Sequence, residues 1–127
     1  MNQLTTEWVG KADGDYASAG REYRVRHNPN YDLVCFLAQQ TAEKYLKGFL
    51  QEHGMPFRKT HNLIELLNLC LPVDATIDLQ RPNLDILNDY SVDYRYPGEW
   101  ANKDDARQAF RAATDVRTFM RARLGLP

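Results

Sequence analysis

Apolar residues return every three or four positions along most of this chain, and that period commits it to helices. Leu4, Trp8, Ala12, Tyr16, Ala19 and Tyr23 form such a stripe on a long first helix. Thr5 or Thr6 is placed to cap it, with Glu7 favourable in the first turn. Gly10, Gly14 and Gly20 weaken it by about 1 kcal/mol each relative to alanine. The first two, one turn apart, leave room for another backbone to approach. No stretch of strand length alternates apolar and polar residues.

The second helix has the clearest boundaries. Asn28-Pro29 reads as a cap followed by proline at the first helical position, and His53-Gly54-Met55-Pro56 as a stop. Tyr31, Cys35, Ala38, Ala42, Tyr45, Leu46 and Phe49 share one face, while Leu33, Phe36 and Leu37 point elsewhere. Its first half is therefore predicted to be buried on more than one side, against a neighbouring helix or a second subunit. A third helix is predicted from about His61 to Leu71, where Pro72 stops it. Asp74 to Tyr94 reads as one or two shorter helices interrupted near Pro82, and Pro97-Gly98 breaks the chain. A last helix starts near Asn102, with Ala106, Ala109, Ala113, Val116, Met120 and Leu124 as its apolar stripe. The predicted architecture is an all-α, up-and-down bundle of four to six helices, one domain over residues 1–127.

With 43% hydrophobic and 26% charged residues, the chain has ordinary globular composition. Its formal net charge of -1 excludes an overall basic coat for nucleic acid. The charge is unevenly spread, however. From Asn62 to Arg95 acids outnumber bases six to two, and from Tyr96 onward bases outnumber acids six to four. That pattern suits self-association, an anionic partner or simply solvated helix faces. The longest apolar run, Leu33 to Ala38, is far short of the roughly 20 residues a membrane span needs. The first residues have no basic flank leading into an apolar core, so a cytoplasmic protein is expected.

Most catalytic constellations are missing. The chain has no paired Glu-x-x-His motif, and His61 with Glu65 is a lone pair at ligand spacing that more often makes a surface contact. No metal or cofactor is implied. Cys35 and Cys70 lie in apolar stretches and read as core thiols. Ser18 and Ser91 carry no nucleophile motif. On the last helix Arg107, Arg111, Arg117 and Arg121 fall within an arc of about 120°. Such a stripe can hold phosphates, pair with the acidic middle of the chain or face solvent. The segment from Leu87 to Trp100 adds Tyr90, Tyr94, Arg95, Tyr96 and Trp100, a mixture used for base stacking with phosphate contact and equally for protein interfaces.

Three ordered motifs resemble the HEPN-domain family. The run from Tyr31 to Lys47, which includes Phe36-Leu37-Ala38-Gln39-Gln40-Thr41-Ala42-Glu43-Lys44-Tyr45-Leu46-Lys47, is similar to that family's second helix. Lys59-Thr60-His61-Asn62-Leu63 resembles the start of its third. Leu87-Asn88 and Tyr90, followed by Tyr94-Arg95-Tyr96-Pro97, resemble the segment before its last helix. The resemblance implies a homodimeric helical bundle, commonly encoded beside a minimal nucleotidyltransferase as a toxin–antitoxin pair. It also implies metal-independent RNA cleavage by an arginine and a histidine with four to six residues between them. Histidine would move the 2′-hydroxyl proton and arginine would stabilise the phosphate.

Here the chain departs from the pattern. Arg95 matches the arginine, but Trp100, Ala101 and Asn102 stand where the histidine belongs, and no histidine follows. Indole cannot carry protons near neutral pH. Arg21 and His27 meet the spacing at the wrong place in the chain. The expectation is therefore a homodimeric module that binds RNA or nucleotide through Arg95, Tyr90, Tyr94, Tyr96, Arg107 and Arg111. Two alternatives stand beside it. One is an active ribonuclease pairing Arg95 with His61, and the other a non-catalytic adaptor dimer without RNA contact.

Overall fold

A computed structural model gives the protein's structure, with residues 1–91 and 96–127 described. Among these described residues five α-helices follow in order: α1 (Gln3–Tyr23), α2 (Tyr31–Glu52), α3 (Leu63–Cys70), α4 (Arg81–Asn88) and α5 (Lys103–Arg123). A 3₁₀ turn, Ala75–Gln80, leads into α4. The described residues contain no strand, as the apolar period requires. The central helix is α2, which packs against α1, α3, α4 and α5.

Burial around α2 is concentrated in its second half. From Thr41 to Leu50 every residue but Lys44 is buried, whereas Leu33, Phe36 and Leu37 are only half-buried. Within the single chain the all-round burial lies a few turns beyond the start of this helix, where α1, α3 and α5 enclose it. Gly48 permits the closest of these approaches: a Cβ there would sit 3.2 Å from the Cβ of Trp8 on α1. Gly10 and Gly14, in contrast, face open space, so the close approach predicted for them is made by Gly48 instead.

Several helix starts differ from the sequence reading for local reasons. Asn2, not Thr5 or Thr6, caps α1, and its side chain accepts from the Thr5 N–H at 2.8 Å and the Thr5 hydroxyl at 2.9 Å. That satisfied hydroxyl lets Thr5 be buried while Leu4 is 53% exposed, which rotates the buried stripe to Thr5, Val9, Ala12 and Ala19. Asn30 rather than Asn28 caps α2, because Asn28 adopts a left-handed φ of 52° and cannot lead into the helix. Asn62 caps α3, so His61 falls outside it. Pro82 lies in the first turn of α4, where the missing N–H costs no helix bond, so it opens that helix rather than interrupting it. The start of α5 is as the sequence predicts: Asn102 and Asp105 form a reciprocal capping box.

Charge ties the long helices together. Asp13 of α1 accepts from Arg117 Nε at 3.0 Å, from Arg121 Nη1 at 2.8 Å and from the Tyr45 hydroxyl. Lys44 pairs with Asp15 across α1 and α2. Half of the predicted arginine stripe is therefore spent on α1, not on the acidic middle of the chain. That middle receives one arginine of the last helix instead, through Arg123 to Asp74 at 2.6 Å.

Candidate functional site

The sequence motifs meet one another in space. Gln39, Glu43 and Lys47 step by four along α2, and the first two reach His61 in the loop before α3. Glu43 is 3% exposed and is the hub. Its carboxylate accepts from Gln39 at 3.1 Å, Gln40 at 3.3 Å, Lys47 at 3.0 Å and pairs with His61 Nδ1 at 2.9 Å. Gln39 also donates to the His61 carbonyl at 3.0 Å, and Lys47 Nζ lies 5.6 Å from the centre of the Trp8 ring. The third motif joins through Asn88, whose side-chain oxygen accepts from the Leu63 N–H at 2.7 Å. No buried side-chain polar atom among the described residues lacks a partner.

This arrangement fixes His61 by one ring nitrogen and leaves the side chain 58% exposed. A carboxylate on Nδ1 orients an imidazole and presents the other nitrogen outward, a geometry suited to proton transfer. It does not make a metal site. Glu65, the residue at ligand spacing from His61, pairs instead with Arg58 at 2.5 Å. Among the described residues no three or more His, Cys, Asp or Glu side chains are placed to hold a metal ion.

Aromatic residues of the segment before α5 divide between core and surface. Tyr90 is half-buried against the core, with its hydroxyl on the Cys35 thiol. Tyr94 and Arg95 lie outside the described residues. Tyr96 is 64% and Trp100 79% exposed. Between them the Tyr96 carbonyl accepts from the Glu99 N–H at 3.0 Å, closing a turn with Pro97 second and Gly98 third. Gly98 has φ 92°, which this turn requires and a side chain would resist. Of the arginines singled out on α5, Arg107 pairs with Asp104, and Arg111 is exposed with no ion pair among the described residues.

Both cysteines are buried and free, and burial pushes each thiol up to about 12, so neither is a nucleophile. Basic residues at Arg24, Arg26 and Lys103 line an open cleft and are not legible as a group in the sequence. Lys103 stands 77 positions beyond Arg26, and only the packing of three helix ends brings them together.

No helix among the described residues is long and apolar enough to cross a membrane. Searching the curated proteins finds no match. Two solved structures share the fold. The crystal structure of TT1696 from Thermus thermophilus has a TM-score of 0.80 at 24% identity, covering 96% of this chain and 98% of that one. The crystal structure of ST0689, an archaeal HEPN homologue, has a TM-score of 0.73 at 22% identity, covering 97% and 98%. The HEPN-domain family model matches residues 5–123, which span all five helices. The chain belongs to the HEPN-domain family.

Proposed function

We propose that this protein is the homodimeric HEPN partner of a minimal nucleotidyltransferase, cytoplasmic and acting as one domain over residues 1–127. In this reading it binds RNA or nucleotide without cleaving it efficiently. The observation that carries the reading is Trp100. At the position where the ribonuclease histidine would stand, an indole is 79% exposed beside the exposed Tyr96. A large aromatic ring so placed offers stacking to a base and no acid–base function. Arg95 is the phosphate contact in this reading, Tyr94 and Tyr96 its aromatic neighbours, and Arg111 a further cation. Arg107 contributes less, because Asp104 already holds it.

Single-stranded RNA binding by the wild-type protein and by Trp100→Ala tests the reading. Loss of one stacked base is worth about 1–3 kcal/mol, so the variant should bind roughly five-fold or more weakly. Equal binding by the two proteins would contradict it.

A second reading has its own observation. The Glu43–His61 pair presents an oriented imidazole, and an active ribonuclease could use it with Arg95. RNA cleavage that disappears in His61→Ala would select this reading.

A further inference from the structure

Three helix ends converge on an open cleft of about 560 Å³. Arg24 lies at the C-terminus of α1, Arg26 in the loop that follows, and Lys103 at the first position of α5. Tyr23, Val25 and Tyr31 complete the walls, and among the described residues no carboxylate lines the cleft. Nearby acids are engaged elsewhere: Glu22 accepts from the Asn30 N–H at 2.9 Å, Asp32 from the Ala101 N–H at 2.7 Å, and Asp104 pairs with Arg107.

None of the three cations has an ion pair among the described residues. Lys103 is placed against its local interest, since a cation in the first turn opposes the helix macrodipole. Gly20 is buried, and a Cβ there would lie 3.2 Å from Arg24 Nη1 and 3.3 Å from the Phe110 ring. The absent side chain lets the guanidinium fold back over α1, while Phe110 stacks on Tyr23 at 5.7 Å.

A second cleft adjoins the first through Tyr31, which lines both, and its other walls include Trp100 and Asp32, whose carboxylate is held by the Ala101 N–H. One side is cationic and the other carries the exposed indole. The ligand chemistry that matches is a phosphate joined to a flat ring. We propose that the joined clefts bind one nucleotide unit, its phosphate on Arg24, Arg26 and Lys103 and its base toward Trp100. This inference rests on the RNA- or nucleotide-binding reading above and names a site for it. The nucleotide unit belongs either to an RNA strand or to a free nucleotide, and the two are separable by experiment.

The test compares wild-type protein, the triple variant Arg24→Gln/Arg26→Gln/Lys103→Gln, and a control, Lys11→Gln, which removes an exposed cation away from the cleft. Each is titrated with a labelled single-stranded RNA across a range of salt, and with AMP. Thermal melting verifies that each is folded. Gly20→Ala serves as a variant that removes no charge but displaces Arg24. The triple variant should bind at least ten-fold more weakly, with its salt slope reduced by about 0.7, the amount that one lost phosphate contact on a single strand removes. Gly20→Ala should weaken binding with less change in slope, and the control should stay within about two-fold. Binding of RNA identifies a strand as the source, and binding of AMP alone a free nucleotide. Wild-type binding that the triple variant reproduces, slope included, overturns the cleft and leaves the RNA- or nucleotide-binding reading standing. Failure of the wild-type protein to bind either ligand overturns both.

Discussion

His61 Nδ1 lies 2.9 Å from the Oε1 of Glu43, joining an exposed imidazole to a carboxylate that is almost wholly buried. The same carboxylate holds Lys47, so the centre of α2 carries a buried ion pair closed at one end by the loop before α3.

Removing Glu43 should therefore be costly. Glu43→Ala leaves the Lys47 ammonium buried without its partner, a loss of about 3–5 kcal/mol where such pairs are broken. Glu43→Gln keeps the shape and part of the hydrogen bonding and should cost less. Urea denaturation of the two variants measures the difference, and equal, small losses would show that the pair contributes little.

The junction of α1, α2 and α5 depends on Asp13. Asp13→Ala removes the acceptor shared by Tyr45, Arg117 and Arg121, and about 1–3 kcal/mol should be lost. Denaturation midpoints check this, and an unchanged midpoint would assign the cluster to the solvated surface.

Alkaline pH should weaken the fold. Burial, with the Asp13 contact second, pushes Tyr45 up to about 12, and burial pushes Cys35 and Cys70 up to about 12. Their ordinary values are 10.0 and 9.0, so between these and about 12 the folded chain keeps protons the unfolded chain has released. Stability from these groups is complete below pH 9 and falls as pH rises toward 12. Urea midpoints across that range should decline. A flat profile would contradict the burial of these groups. Thiol reagents give an independent reading, with no modification of the folded protein at neutral pH and two thiols per chain after unfolding.

How much of this is legible in the sequence depends on whether the signal is local. The start of α5 is legible, because Asn102 and Asp105 complete a capping box within four residues. The start of α1 misleads, because an apolar Leu4 looks like core while a threonine bonded to Asn2 does not. Tyr90 reads as surface chemistry, yet it turns inward to Cys35, a direction that composition does not encode. Gln39, Glu43, Lys47 and His61 are visible as motif residues, but nothing in their spacing shows that one carboxylate gathers them. Arg24, Arg26 and Lys103 carry no signal as a group, since only tertiary packing makes them neighbours.

Self-association has a candidate face. Leu33 and Leu37 are half-buried near the start of α2, where the chain alone covers them incompletely. Light scattering at micromolar concentration should give twice the chain mass of 14.7 kDa. Leu37→Glu should lower it, and a monomer in the wild-type protein would contradict the dimer.

Incubating the purified protein with labelled single-stranded RNA in EDTA, and following both binding and strand length, tests the central claim most directly. The account predicts RNA that is bound and remains intact, because Trp100 occupies the place of the proton-carrying histidine. Rapid cleavage that disappears in His61→Ala, or no binding at all, would contradict it.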